Sequence, residues 1–420
     1  MSVTSNDKAQ TKRASTLEKS SFWFGKGRAR KIWTKIHRWI GIVAGAYLVI
    51  AGLTGSLLAF WQDIDERLNT NIMTVNAPVQ AVYRPLDEIF AVAKTVVPPG
   101  GTIVAFLMPR HSGAAAQFLY FTLAPDQKID GHSVFIDPYN AKITGQRIEN
   151  RANNIFVRPF IYLMMDLHAT LFLGYEHRAY LIGVPAFFLL LSVIAGLLLW
   201  CPRNGKWRRA LTIKPGANAE RLTYDLHKSF GVYLSVVLVV LLFSGIYITC
   251  KPQVRELVRL FSPVREEPGN LKSTPIAGQL PLGPDAAAVI ADKIFPDGKL
   301  KSISFPMGPE GIYVVGKHAD DEVNQAGTYR NVTIDQYSGE VLHVQDRKTF
   351  TAGETFLEWQ YPLHSGEAFG NAGRAFILLM GFVPLILYVT GFIRWRQKRR
   401  ANRWATAMRA TNMLGKAREN

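Results

Sequence analysis

Residues 37–55 read HRWIGIVAGAYLVIAGLTG, and residues 227–245 read HKSFGVYLSVVLVVLLFSG. Each stretch opens on a histidine with a basic neighbour, has glycine four positions later, and closes on a small-residue–glycine pair at Gly55 or Gly245. A second pair of stretches matches in the same way. DLHATLFLG carries His168, PLHSGEAFG carries His364, and an arginine follows each histidine ten residues on, at Arg178 and Arg374. His37 and His227 lie 190 residues apart and His168 and His364 lie 196 apart, so the chain reads as one unit written twice.

The histidines flank four stretches without Asp, Glu, Lys or Arg, at residues 40–61, 179–201, 229–250 and 375–393. Each has 19 to 23 residues, about the ~20 a helix needs to cross the hydrocarbon core. The composition therefore predicts an integral membrane protein with four spans. The first span lies behind a long basic leader, which does not suit a cleaved signal peptide. Lys and Arg number nine in residues 1–36, six in 202–226 and nine in 394–420. By the positive-inside rule these three regions are cytoplasmic, and the long loops face outward. Both copies begin and end inside, so the repeat is parallel, about an axis along the membrane normal. The net charge of +17 reads as topology, and nucleic-acid binding is excluded as its cause.

The expected layout is a cytoplasmic tail over 1–36, a first transmembrane helix over 37–61 and an outer domain over 62–167. A lead-in and second helix over 168–201 and a cytoplasmic loop over 202–226 follow. The second copy has a third helix over 227–250, an outer domain over 251–363, and a lead-in and fourth helix over 364–395. A basic cytoplasmic tail over 396–420 ends the chain. Each outer loop has a helix signal, at 85–97 and 283–294. Strand-like runs follow at 102–107, 117–122 and 133–136, and at 300–305, 311–317, 329–334 and 340–344. Each loop also carries a turn, DPYNAKITG at 137–145 and DQYSG at 335–339. Each is expected to fold as a small α+β domain of its own.

The helix–strand–strand–strand pattern ending in D-x-Y-x-(x)-G resembles the PepSY domain. Its flanks are similar to the PepSY-associated transmembrane region, with Leu167-His168, His177-Arg178 and Ala195-Gly196…Trp200 in one copy. The other copy has Leu363-His364, Gly373-Arg374 and Thr390-Gly391…Trp395. His177 stands where that pattern usually has glycine. The resemblance covers most of residues 30–400 and implies a four-helix transmembrane bundle from two tandem repeats with two periplasmic PepSY-like α+β domains. Members are described as iron-regulated membrane proteins. Some resemble ferric-siderophore reductases of the bacterial inner membrane, ferrioxamine reductase among them.

Imidazole is the commonest metal ligand at neutral pH, and two histidine pairs on a membrane bundle are what two bis-histidine haems require. With two cysteines and no CxxCH motif, such haem is non-covalent, b-type. Gly41, Gly45, Gly52 and Gly55 share the His37 side of the helix within about 80°, leaving room for a macrocycle; close helix packing is the alternative. His168 and His364 lie eleven residues before their spans, about 16 Å of straight helix. Gly174, Gly366 and Gly370 allow the lead-in to fold back. His177 is a substitute outer ligand, and packing of the outer domain onto the membrane is the alternative role. Arg38, Lys228, Arg178 and Arg374 sit beside these histidines, as propionate partners or as snorkelling side chains. His111, His132, His318 and His343 read as surface residues.

The chain carries no dinucleotide fingerprint, P-loop, nucleophile elbow or HExxH. Electrons for a haem wire must then come from a separate flavoprotein or ferredoxin, or from quinol. The expected function is a transmembrane oxidoreductase, with a cytoplasmic haem at His37 and His227 and a periplasmic one at His168 and His364 serving a ferric siderophore. Two haems or one are both compatible with the sequence. The alternative is a haem-free PepSY membrane protein that binds or regulates a periplasmic partner. A permease is disfavoured, because no charged residue lies mid-span.

Overall fold

The computed structural model describes residues 26–419 except 80–81, 125–126, 203–206 and 267, with side chains from residue 28 to residue 411. Residues 1–25 of the expected basic tail thus lie outside the described residues. In chain order the helices that matter are α1 (Lys26–Leu58), α2 (Trp61–Leu68), α3 (Leu86–Lys94), α4 (Phe160–Thr170), α5 (Val184–Trp200) and α6 (Ala219–Tyr233). They continue with α7 (Ser235–Thr249), α8 (Pro284–Ile294), α9 (Ala352–Glu358), α10 (Gln360–Ser365), α11 (Gly370–Met380) and α12 (Val383–Glu419). The chain forms two compact units. One holds the described residues of 1–49, 184–243 and 382–420; the other holds those of 50–183 and 244–381.

Among the described residues, three helical stretches are long and apolar enough to cross a membrane: Arg28–Leu58, Ala179–Trp200 and Glu367–Thr411. The second begins with a π-helical turn, Ala179–Gly183. The fourth candidate departs from the single helix expected over 227–250. It is the pair α6 and α7, bent by 61° at Leu234. Just past the bend, the Ser235 hydroxyl donates to the Val232 carbonyl at 2.8 Å. A serine that engages a carbonyl of the preceding turn is a recognised cause of a helix bend. Within the same unit, α6 packs against α5 and α12.

The second unit contains one eight-stranded sheet where two separate domains were expected. The strands are β1 (Thr102–Leu107), β2 (Ala116–Leu123), β3 (Ile129–Asp137), β4 (Lys142–Asn150), β5 (Lys299–Ser304), β6 (Ile312–His318), β7 (Arg330–Asp335) and β8 (Val341–Asp346). They are ordered β4-β3-β2-β1-β5-β6-β7-β8, all antiparallel. The seam is β1 on β5, with Phe106 opposite Ile303. Each four-stranded half would otherwise expose an unpaired edge carrying apolar residues, and joining the edges satisfies both rows of backbone groups. A single core follows. Ile89 and Ala93 of α3, Ala287 and Ala291 of α8, and the sheet residues Phe106, Phe118, Ile303, Val315 and Val332 are all buried together. The two helices also cap one another. The Asp285 carboxylate accepts from the backbone N–H groups of Leu86 and Asp87 at 2.9 Å, and Asp87 accepts from that of Asp285 at 3.2 Å. Each carboxylate thus satisfies orphan donors at the other helix's N-terminus.

The D-x-Y turns form as their chemistry requires. Asp137 accepts from the Tyr139 N–H, and Asp335 from those of Tyr337 and Ser338. Strand β4, which the sequence reading missed, follows the first turn. Its sequence KITGQRIEN lacks clean apolar alternation, and none of its residues is fully buried.

One surface helix makes pH dependence testable. Thr351 and Glu354 form a capping box at the start of α9, and Arg265 grips the Glu354 carboxylate with bonds of 2.8 and 2.7 Å. That guanidinium and the Thr351 N–H hold the Glu354 carboxyl down at about 2. A carboxylate depressed in the folded state stabilises it above the ordinary value and loses that contribution as pH falls through the depressed one. Thermal stability in detergent is therefore expected to drop between about pH 4.5 and about pH 2. Glu354→Gln should flatten that part of the profile; an unchanged profile would exclude Glu354 as its source.

Candidate functional site: two histidine pairs

The structure brings His37 to His227, and His168 to His364. The ring centroids stand 6.1 Å apart in both pairs, with interplanar angles of 72° and 66°. The first pair lies wholly in the unit of α5, α6 and α12, and the second wholly in the unit of the sheet.

Each ring sits in the same kind of socket on another helix. His37 Nδ1 lies 2.9 Å from the Ser192 carbonyl and 3.0 Å from its hydroxyl. His227 Nδ1 lies 3.1 Å from the Leu387 carbonyl and 3.0 Å from the Thr390 hydroxyl. His168 Nδ1 lies 3.0 Å from the Ala51 carbonyl and 3.1 Å from the Thr54 hydroxyl. His364 Nδ1 lies 2.9 Å from the Ser244 hydroxyl. A glycine forms the floor each time. A Cβ on Gly196, Gly391 or Gly55 would stand 3.1 Å from the Cε1 of His37, His227 or His168, and one on Gly245 would stand 3.4 Å from that of His364. The socket has a simple logic. Without a Cβ on the glycine, the carbonyl one turn earlier is open to a second donor, and a ring can lie against the helix backbone.

The sockets settle the tautomer of three rings. A carbonyl only accepts, so Nδ1 of His37, His168 and His227 carries the proton. The Thr54 and Thr390 hydroxyls donate to the carbonyls of Ile50 and Ile386, at 2.7 and 2.6 Å, so they too accept from Nδ1. The lone pair of each of these rings is then on Nε2. Metal-bound histidines are held in this way, with the second nitrogen donating to a carbonyl or hydroxyl that fixes the ring.

The spacing can be compared with what an iron between two imidazoles needs. A metal–nitrogen bond is about 2 Å. A five-membered ring with bonds of about 1.35 Å has a radius of about 1.15 Å. Two of each place the centroids about 6.3 Å apart, close to the separation found here. Among the described residues no group of three or more His, Cys, Asp or Glu could hold a metal ion. Two imidazoles alone suit an iron whose other ligands come from a macrocycle better than they suit a bare ion.

Around His37 and His227 there is a cavity of about 410 Å³, within the range of cofactor sites. Gly41, Gly45 and Gly231 line it, together with Tyr388 and Phe392. The helix face expected to accommodate a macrocycle is therefore divided. Gly41 and Gly45 line the cavity, Gly55 receives His168, and Gly52 packs its backbone against Gly381.

The basic neighbours also differ among themselves. Arg38 lines the cavity, as do Arg30, Arg394 and Lys398, three residues that the sequence reading passed over. Lys228 lines it too, but its ammonium donates to the Asp225 carboxylate and to the carbonyls of Arg209 and Thr212. All three of its protons are thereby engaged. Arg374 is bound to Asp63, the Ala59 carbonyl and Asn371 and stacks over Phe60. Arg178 is half-buried and forms no ion pair among the described residues.

Two turns place the second pair. Helix α4 ends two residues past His168, where Leu171 and Phe172 adopt left-handed backbone, and Gly174 follows with φ of 90°. Helix α10 ends one residue past His364, at Gly366 with φ of 85°. These turns break the straight path from histidine to span. His177 lies beyond the first turn with its side chain 62% exposed, beside Glu176, while His168 is the ring that faces His364. Of the four histidines read as surface residues, His318 is buried and lies 3.0 Å from the buried Glu322, so that assignment is corrected. The end of β6 turns it inward, where a carboxylate waits. His111 instead pairs with Glu66 at the surface.

The serine and threonine acceptors were not picked out from sequence as partners, although the signal was present. Thr54-Gly55, Ser244-Gly245 and Thr390-Gly391 are small-hydroxyl–glycine doublets, and Ala195-Gly196 breaks the series only because Ser192 supplies the hydroxyl one turn earlier.

A helical protein with three or four membrane-length stretches, an antiparallel α+β sheet and histidine pairs is a membrane protein of mixed architecture. The model of the PepSY-associated TM region matches residues 34–398, most of the chain, and the protein belongs to that family. A search of curated proteins finds no match.

Proposed function

We propose that this protein is a b-type haem protein of the bacterial inner membrane that carries electrons to a periplasmic ferric siderophore, which then releases Fe(II). The donor is a cytoplasmic flavoprotein or ferredoxin, or quinol. The accompanying architecture is a four-helix bundle of two tandem repeats, with both termini cytoplasmic and the sheet periplasmic. The observation that carries the proposal is the pair of facing imidazole sets, spaced for an intervening iron and anchored at Nδ1.

His37 and His227 would hold one haem, and His168 and His364 a second. When bound, haem supplies reversible one-electron chemistry. The chain's own contributions are positional. Ser192, Thr390, Thr54 and Ser244 orient the rings, the carbonyls of Ser192, Leu387 and Ala51 hold a proton at Nδ1 of His37, His227 and His168, and the glycines admit the rings to the helix backbone. Arg38 and Arg30, which line the first cavity, would be the propionate partners there, while Arg394 lines it but is bound to Glu220. Holding each haem with two histidines would favour electron transfer over oxygen activation.

The test is a visible spectrum of the detergent-purified protein, oxidised and dithionite-reduced, with a haemochrome count. Sharp reduced bands and two haems per chain are expected, followed by reoxidation on adding a ferric siderophore. One haem would confine the reading to one pair. No haem, in protein from haem-replete cells, would replace it with a PepSY membrane protein that binds a partner.

A further inference from the structure

A second cavity, of about 610 Å³, opens beside the first unit's helices and is lined by Arg38 of α1 and by Trp395, Lys398, Arg399, Asn402 and Arg403 of α12. The charges around it are one-sided. Across residues 28–49, 184–202, 207–243 and 382–411 there are seventeen Lys and Arg but two carboxylates, Glu220 and Asp225. Glu220 is bound by Arg394, and Asp225 by Arg221 and Lys228. Among the described residues, then, no carboxylate of this unit is left for Arg38, Lys398, Arg399 and Arg403. Four cations converging on one cleft repel each other, and an anion between them relieves that repulsion.

The position of the cleft indicates which anion. The uncharged run 375–393 ends one residue before Arg394-Trp395. Indole and guanidinium groups at the end of an apolar span lie at headgroup level. Arginine is suited to the paired oxygens of a phosphate, and Arg399 is further held by its contact with the Trp395 ring, 5.4 Å from the centroid. Basic clefts between spans on the cytoplasmic side are the sites where anionic headgroups bind.

We propose that this cleft binds the phosphodiester headgroup of an acidic phospholipid. Arg38 and Lys398 line both this cleft and the cavity of His37, whereas Arg399 and Arg403 line this cleft and not that cavity, so the test rests on those two. It is tested with the full chain in mixed micelles of equal phosphatidylglycerol and phosphatidylcholine, counting retained lipids by native mass spectrometry. Retention of phosphatidylglycerol should exceed that of phosphatidylcholine by about tenfold or more, the factor that two basic contacts provide at a membrane surface. The Arg399→Gln/Arg403→Gln variant should abolish the preference while its melting temperature and elution volume stay those of the parent. Equal retention of both lipids by the parent, or an unchanged preference in the variant, overturns the proposal. Displacement of the lipid by millimolar inorganic phosphate overturns it in favour of a free-phosphate site. If the double variant misfolds, Arg399→Gln alone must lower the preference, and failure to do so has the same consequence.

Discussion

On the proposed haem reading, replacing His227 with alanine is expected to lower the haem content of the purified protein from two per chain to one and to abolish electron delivery to a ferric siderophore. The reason is geometric. His37 and His227 face each other at 6.1 Å, and neither has a described histidine substitute in its unit. With one imidazole gone, its partner offers a single protein ligand. His37→Ala should therefore have the same effect, and the double variant should do no further harm, because two residues acting as a unit are not additive. His168→Ala and His364→Ala should remove the other haem in the same manner. His177→Ala should leave both, since that side chain is exposed and His168 is the ring that faces His364. The haemochrome count and the reduced spectrum of each variant check these outcomes together. Undiminished haem in His227→Ala would sink the pairing; loss on His177→Ala would move the outer ligand.

The second large effect is expected from the socket glycines. A Cβ at Gly391 would already stand 3.1 Å from His227 Cε1, so alanine forces a shift of a few tenths of an ångström and valine adds carbons where the ring lies. Gly391→Val should weaken haem retention by about 10- to 100-fold, the range seen when groups that orient a metal-binding histidine are lost. Gly196→Val should do the same through His37. Gly41 provides the contrast. A Cβ there meets nothing within 4 Å, yet the residue lines the cavity. Gly41→Leu should thus leave the apoprotein's melting temperature at or above that of the parent, since leucine favours helix over glycine by roughly 1 kcal/mol, while blocking haem. Equal haem retention by Gly391→Val and the parent would show that the socket does not position the ring. A Gly41→Leu protein with full haem content would place the macrocycle elsewhere.

Much of this was legible in the residues. The four uncharged stretches could be read because charge is excluded from hydrocarbon, a constraint that acts on composition alone. The two helices packed on the sheet and seven of its eight strands followed from apolar spacing and turn chemistry, with Asp137 and Asp335 fixing turns through bonds only two or three residues long. Strand β4 was hidden because its residues are half-exposed and its pairing with β3, rather than its own pattern, makes it a strand. The recurrence of each histidine at one register picked out the candidate pairs.

What the residues alone determined, then, was local: span composition, turn positions, and a histidine and a glycine at matching places in each copy. Which partners those groups meet was decided only by the tertiary fold. His37 reaches Ser192 and Gly196, His227 reaches Leu387 and Gly391, and Lys228 turns from the cavity to Asp225. The edges β1 and β5 closed into one sheet, and Ser235 accompanied a bend in an unbroken apolar run. Most of these contacts join segments more than 100 residues apart, where spacing along the chain no longer constrains distance. They are fixed instead by close packing, by backbone groups that must find partners, and by the absence of a Cβ where two helices need to meet.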